Sequence, residues 1–180
     1  MVYVFLADGF EEVEAVTPID YLRRADIEVI TVGVTGKTVT GAHNISVLCD
    51  ISVDEIDISK ADGIILPGGM PGTLNLENSA EVQSSIDYCN KNGLLIAAIC
   101  AAPSVLGHKN ILQGKKAVCF PGFESELHGA DVTSDFAVTD GNIITAKGAG
   151  SASEFAFEII KYFRDEQTAL QIKSVVQTCY

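Results

Sequence analysis

Residues 94–106, LLIAAICAAPSVL, run through six apolar positions, meet Cys100, and pass into a small-residue, proline-bearing stretch that can open a helix. A cysteine at a sharp strand-to-helix junction stands on the rim of a sheet, where the free N–H groups of the next helical turn favour a thiolate. The expected thiol pKa then lies well below its ordinary value of about 8.5, which suits a nucleophile or a redox sensor. The geometry is that of a nucleophile elbow, although AICAA lacks the glycines of G-x-S-x-G. The alternative is that Cys100 is a small buried hydrophobe, as free cysteines commonly are.

Three further groups of residues bear on this chemistry. Glu11, Glu12 and Glu14 open the first helix, where acidic side chains favour the dipole. With Val13 and Val16 beside it, Glu14 can turn inward; a buried glutamate has a raised pKa, and as the neutral acid it donates a hydrogen bond to a thiolate or shuttles a proton. PGGMPG, residues 67–72, is either a tight turn or a bare backbone whose N–H groups can approach an oxyanion. It is not G-x-G-x-x-G, and no phosphate-binding G-x-x-x-x-G-K-[ST] occurs, so nucleotide binding has little support. Cys49, Cys89, Cys119 and Cys179 are expected to be packing or rim residues. An odd total of five cysteines without a CxxC spacing argues against a disulfide framework, and His43, His108 and His128 show no metal-ligand spacing. Neither a metal nor a cofactor is expected.

These residues need elements to position them. VYVFLA, EVITVGV, GIILPGG and LLIAAI are continuous apolar runs of strand length. Between them, EEVEAVTPIDYLRRA has helical spacing with an expected interruption at Pro18, where Thr17 can cap a renewed helix, and residues 79–92 have helical spacing up to a C-terminal glycine, Gly93. KTVTGAHNISVLCD reads as a hairpin around Gly41–Ala42 appended to the main sheet. KKAVCF is a further strand, FAVTDGNIITA a second hairpin with Asp140–Gly141 as its turn, and SASEFAFEIIKYFRDE and QTALQIKSVVQTCY two closing helices. Strands buried on both faces and alternating with helices imply an α/β doubly wound, mostly parallel sheet with helices on both faces and a small appended β-hairpin. Ligands of such sheets bind outside the carboxyl ends of the strands, so DGFEEVE, PGGMPG, Cys100 and KGAG are expected to converge.

Composition narrows the function classes. At 180 residues and 47% hydrophobic, without a dividing linker, the chain reads as one domain, residues 1–180. A net charge of -12 with basic residues only in pairs opposes nucleic-acid binding. The opening apolar run lacks the basic flank of a signal peptide, and no segment approaches a membrane span, so a soluble cytoplasmic protein is expected.

The segments LADGFEEVEAVTPIDYLRRA, LPGGMPGTLNL, GLLIAAICAAPSVL and AKGAGSASEFAFEII, in that order, resemble the DJ-1/PfpI superfamily, in its DJ-1-like (ThiJ-type) branch, over about Val2 to Lys173. The resemblance implies a flavodoxin-like sandwich, a homodimer, and an oxidation-prone nucleophilic cysteine. Carried over by position, the cysteine is Cys100, its acidic neighbour is Glu14, and the oxyanion-binding amides are those of Gly69 and Ala101. Two residues depart from relatives: Ala101 follows the cysteine where the protease branch has histidine, which argues against a protease, and Phe120 precedes Pro121 where animal-like members have histidine.

The resemblance implies glutathione-independent glyoxalase or deglycase chemistry on small dicarbonyls such as methylglyoxal or their adducts, with no cofactor. The alternative from another class is an oxidative-stress sensor or redox-regulated chaperone working through oxidation of Cys100. The dimer is expected to use the first helix and the hairpin, with Cys49 near the contact, although no apolar stripe in the sequence compels it.

Overall fold

The computed structural model describes residues 1–178; Cys179 and the end of the last expected helix lie outside them. The chain runs β1 (Val2–Leu6), α1 (Glu12–Arg24), β2 (Val29–Gly33), β3 (Thr38–Thr40), β4 (Ser46–Leu48), β5 (Ile51–Ser52), β6 (Gly63–Leu66) and α2 (Gly72–Asn78). It continues through α3 (Ala80–Asn92), β7 (Leu95–Ile99), α4 (Pro103–His108), β8 (Lys116–Ala117), β9 (Asp131–Val132), β10 (Ala137–Asp140), β11 (Ile143–Ala146), α5 (Ala152–Phe163) and α6 (Glu166–Val175).

The main sheet has the order β10-β11-β7-β6-β1-β2-β5. All its neighbours pair in parallel except β10 with β11. This is the doubly wound, flavodoxin-like arrangement expected from the sequence. Alternation along β1 shows why its run is apolar throughout: Val2, Val4 and Leu6 enter the core beneath α1 and α5, while Tyr3, Phe5 and Ala7 enter the core of the opposite face with residues of α2, α3 and α4. Each fully buried large apolar side chain contributes about 1.5–3 kcal/mol relative to an exposed one. The chain winds from β1 through β2 to β5, then returns to place β6 on the other side of β1. The order therefore reverses between β1 and β6, and the crevice at their carboxyl ends is the natural ligand site of such a sheet.

Several expectations are corrected. Helix α1 is continuous through Pro18, with no renewed cap at Thr17. Its buried face of Ala15, Pro18, Ile19 and Leu22 packs toward α5, and that contact outweighs the missing N–H of the proline. The β3–β4 hairpin forms its own two-stranded sheet; β5, unexpected from sequence, takes the edge beside β2. The hairpin is instead held over the β1–α1 loop, where Gly9 N–H donates to the Thr40 carbonyl and Thr40 N–H to Asp8. The Glu12 carboxylate accepts the His43 N–H at 2.7 Å. Helix α2 is a further unexpected element, and β8 pairs with β9 in a separate two-stranded sheet that lies beside β10. Asp140 pairs with Ile143, so the turn of the second hairpin is Gly141–Asn142, one residue later than expected. Helix α3 begins where the Ser79 hydroxyl accepts the Val82 N–H and ends at Gly93, whose φ of 65° glycine adopts at least cost.

Candidate active site

The four strand-end segments converge. Cys100 follows β7 directly and has φ 66°, a left-handed conformation that a residue with a Cβ holds only when its surroundings enforce it. Enforcement comes from both sides: Cys100 N–H donates to the Ala146 carbonyl at 2.9 Å, and the Cys100 carbonyl accepts from Phe120 N–H at 2.8 Å. Turning the backbone here lifts the side chain off the strand and toward the ends of β6 and β1.

Glu14 meets it from α1. The helix starts at the crevice, and Glu14 lies on its inward face, 1% exposed. One carboxylate oxygen accepts the Gly68 N–H at 3.0 Å, the Ala149 amide donates to the same carboxyl group, and the Cys100 thiol is hydrogen-bonded to it. The PGG turn explains the close approach. A Cβ on Gly68 would lie 2.6 Å from the Cys100 Cβ and 2.6 Å from a Glu14 oxygen, so no larger residue fits between β6, β7 and α1. Gly69, at φ 92°, turns its amide toward the sulfur, and the Ala101 amide reaches the sulfur from the elbow. The residues expected from the sequence, Cys100, Glu14, Gly69 and Ala101, are thus brought together. Gly68 and the Gly148–Ala149 loop complete the surroundings of Glu14, and sequence reading assigned the carboxylate no partners there. KGAG marked that loop as a strand end, but which amide faces Glu14 is decided only by packing.

Burial pushes the Glu14 carboxyl up to about 7, against the opposing hydrogen bonds from Cys100 and Gly68. The thiol moves opposite to the sequence expectation: burial, then the neighbouring Glu14 charge, push Cys100 up to about 12. The local helix does little to oppose this. Helix α4 begins at Pro103, which has no N–H, and the amides of Ala102 and Ser104 are spent on the carbonyls of Ile99 and Ala101. Only the amides of Ala101 and Gly69 are left to favour the thiolate. Above about pH 7 the pair holds one proton, on the sulfur, and near neutrality Glu14 is the group that binds and releases the second.

Beside the pair lies a cavity of about 330 Å³ lined by Phe120, Pro121, Phe136, Lys147 and residues 148–151. Phe120 stands where the resemblance placed a histidine, so it presents an apolar ring instead of a second acid–base group. The other cysteines among the described residues, Cys49, Cys89 and Cys119, are buried, and burial raises each thiol. No described helix is long and apolar enough to cross a membrane.

A flavodoxin-like sheet with a left-handed cysteine at one strand end and a buried glutamate against its sulfur defines a class of α/β proteins with an elbow thiol. The chain belongs to the DJ-1/PfpI family, whose sequence model matches residues 1–162. It is 33% identical to protein dj-1beta of Drosophila melanogaster, covering 98% of this chain and 96% of that one. The structure is similar to that of oxidized Toxoplasma gondii DJ-1, with a TM-score of 0.95, 34% identity, and coverage of 99% and 98% of the two chains. A protein of Pyrococcus abyssi named as a deglycase is 27% identical, over 91% of this chain and 99% of its own.

Proposed function

We propose that this protein uses Cys100 to act on small reactive dicarbonyls such as methylglyoxal, or on their adducts, as a glutathione-independent glyoxalase or deglycase. The observation that carries the reading is the buried Glu14 carboxyl group, titrating near neutrality, in hydrogen-bond contact with an elbow thiol. Similarity to a protein named as a deglycase supports it.

Because the thiol is held protonated, Glu14 accepts the thiol proton as the sulfur adds to the aldehyde carbon, giving a hemithioacetal. The amides of Gly69 and Ala101 lie within reach of the oxygen that becomes negative. Glu14 returns that proton to this oxygen, which completes the hemithioacetal, and then moves the proton of the aldehyde carbon to the neighbouring carbon through an enediol, leaving a lactoyl thioester. Water cleaves that thioester to lactate and the free thiol. With Phe120 supplying no second base, Glu14 performs every transfer, and slow turnover is expected. Lactate formation from methylglyoxal without added glutathione should vanish in Cys100→Ala and fall about 100-fold or more in Glu14→Gln. Unchanged turnover in Cys100→Ala defeats the reading.

The second reading is a redox sensor or redox-regulated chaperone in which Cys100 becomes a sulfenic or sulfinic acid held by the same amides and by protonated Glu14. Phe120, in place of an acid–base histidine, favours it. Mild peroxide should then oxidise Cys100 faster than Cys89 or Cys119, read by peptide mass spectrometry. For the expected homodimer, support comes from Val13, Val16, Ile45 and Leu48, exposed apolar side chains on α1 and the β3–β4 hairpin, whereas Cys49 is buried. Sedimentation of the full chain tests the dimer, and a monomer at micromolar concentration counts against it.

A further inference from the structure

Away from Cys100, three ligand-bearing side chains meet where no sequence spacing announced them. Donor atoms of His108, Glu126 and His128 all lie within 4.8 Å of one another. His108 is the last residue of α4, and the other two flank Leu127, which is 2% exposed and anchors the segment in the core. The approach depends on Gly107: a Cβ there would lie 2.0 Å from the Glu126 carbonyl oxygen, so only glycine lets this segment lie flush on α4. His128 is fixed through its backbone, whose carbonyl accepts from the Gln113 side chain at 3.0 Å.

The imidazole of His108 is oriented from behind. Its Nδ1 is 2.5 Å from Glu77 Oε1, at the end of α2, and its Nε2 faces Glu126 Oε2 at 2.9 Å. A metal-binding histidine characteristically gives its second ring nitrogen to a carboxylate, which fixes the tautomer and ring plane. Glu77 takes that supporting position, leaving His108 Nε2, a Glu126 oxygen and a His128 nitrogen as three converging donors. The His128 ring centroid is 5.4 Å from that of His108, so the two imidazoles neighbour one another across one site.

We infer that His108, Glu126 and His128 form a binding site for a divalent transition metal of the zinc class, with Glu77 as the positioning carboxylate. Two nitrogens and one oxygen suit zinc and disfavour magnesium or calcium, which prefer all-oxygen shells. Tetrahedral coordination at about 2.0–2.2 Å sets donors about 3.4 Å apart; His108 Nε2 and the Glu126 oxygen already stand within that, at 2.9 Å, and the His128 nitrogen has to approach them. The exposed side chain of His128 makes that closure without moving the core. The ion replaces the proton between His108 Nε2 and Glu126, and that proton leaves to solvent. Occupancy ties together α2, α4 and the 124–128 turn. Each of these leads away from the candidate active site: from the PGG turn, from the Cys100 elbow and from the Phe120–Pro121 loop.

The test is titration of the full-length protein with Zn²⁺ against a chelating dye, for wild type, Cys100→Ser, His128→Gln, Glu126→Gln and Glu77→Gln. One Zn²⁺ per chain is expected in wild type and Cys100→Ser at micromolar concentration, retained in excess Mg²⁺. Affinity should fall tenfold or more in His128→Gln and Glu126→Gln, with about tenfold loss in Glu77→Gln. Circular dichroism should show each variant folded. Absence of stoichiometric binding, its loss in Cys100→Ser, its survival in His128→Gln, or displacement by Mg²⁺ overturns the assignment.

Discussion

Replacing Glu14 with glutamine should change the shape of the Cys100 reactivity profile as well as its height. In wild type the carboxyl group titrates near 7 and the thiol near 12, so across that interval the pair carries a single proton. The nucleophilic microstate, thiolate beside carboxylic acid, has the same proton count as the dominant one, thiol beside carboxylate. Its fraction therefore does not depend on pH anywhere between the two values. Below about 7 a second proton must be removed first, and the rate rises about tenfold per pH unit. Alkylation by iodoacetamide, followed at Cys100 by peptide mass spectrometry, should thus climb up to a break near pH 7 and then level off. Glutamine keeps the volume and a hydrogen-bonding group but cannot take the proton. It also removes the charge that raises the thiol, so the thiol pKa falls from about 12. The profile of the variant should climb without a break through neutrality, by about 100-fold from pH 7 to 9 as long as its thiol pKa stays above that range. A wild-type profile that climbs through 7 unbroken, or a Glu14→Gln profile that keeps the break, refutes proton sharing between the two residues.

The same carboxyl group makes stability depend on pH. Folding raises it from 4.5 to about 7, so the native state binds more protons than the unfolded chain between those values and stability declines as pH rises through the window. Glu14→Gln removes that slope: relative to wild type it should gain up to about 3 kcal/mol between pH 4 and 8, read from urea midpoints at each pH. Gly68→Ala places a Cβ 2.6 Å from both the Cys100 Cβ and a Glu14 oxygen. It should lower stability by about 1–3 kcal/mol and abolish the alkylation break near pH 7, whereas a variant with wild-type stability and profile would show that the three-way contact is not tight.

What sequence alone determined was whatever depends on neighbours along the chain. Apolar runs of strand length identified β1, β2, β6 and β7, because a strand buried on both faces has no polar side to display. The abrupt change at Cys100 marked the elbow, and Gly93 marked the end of α3. Tertiary structure decided whatever depends on partners distant in sequence. Helix α1 runs through Pro18 because its buried face is held against α5. The thiol is raised instead of lowered because the packed fold buries it, because the charge of Glu14, eighty-six positions earlier, lies against it, and because α4 opens on a proline. Glu14 itself looks like any acidic residue in a first helical turn until Gly68 and Ala149 close around it. His108, Glu126 and His128 are unremarkable in spacing and meet only because Gly107 lets two segments touch. Local pattern carries backbone conformation and burial, since both follow from each residue and its near neighbours. Protonation and ligand geometry follow from distances between elements, and only the packed fold sets those.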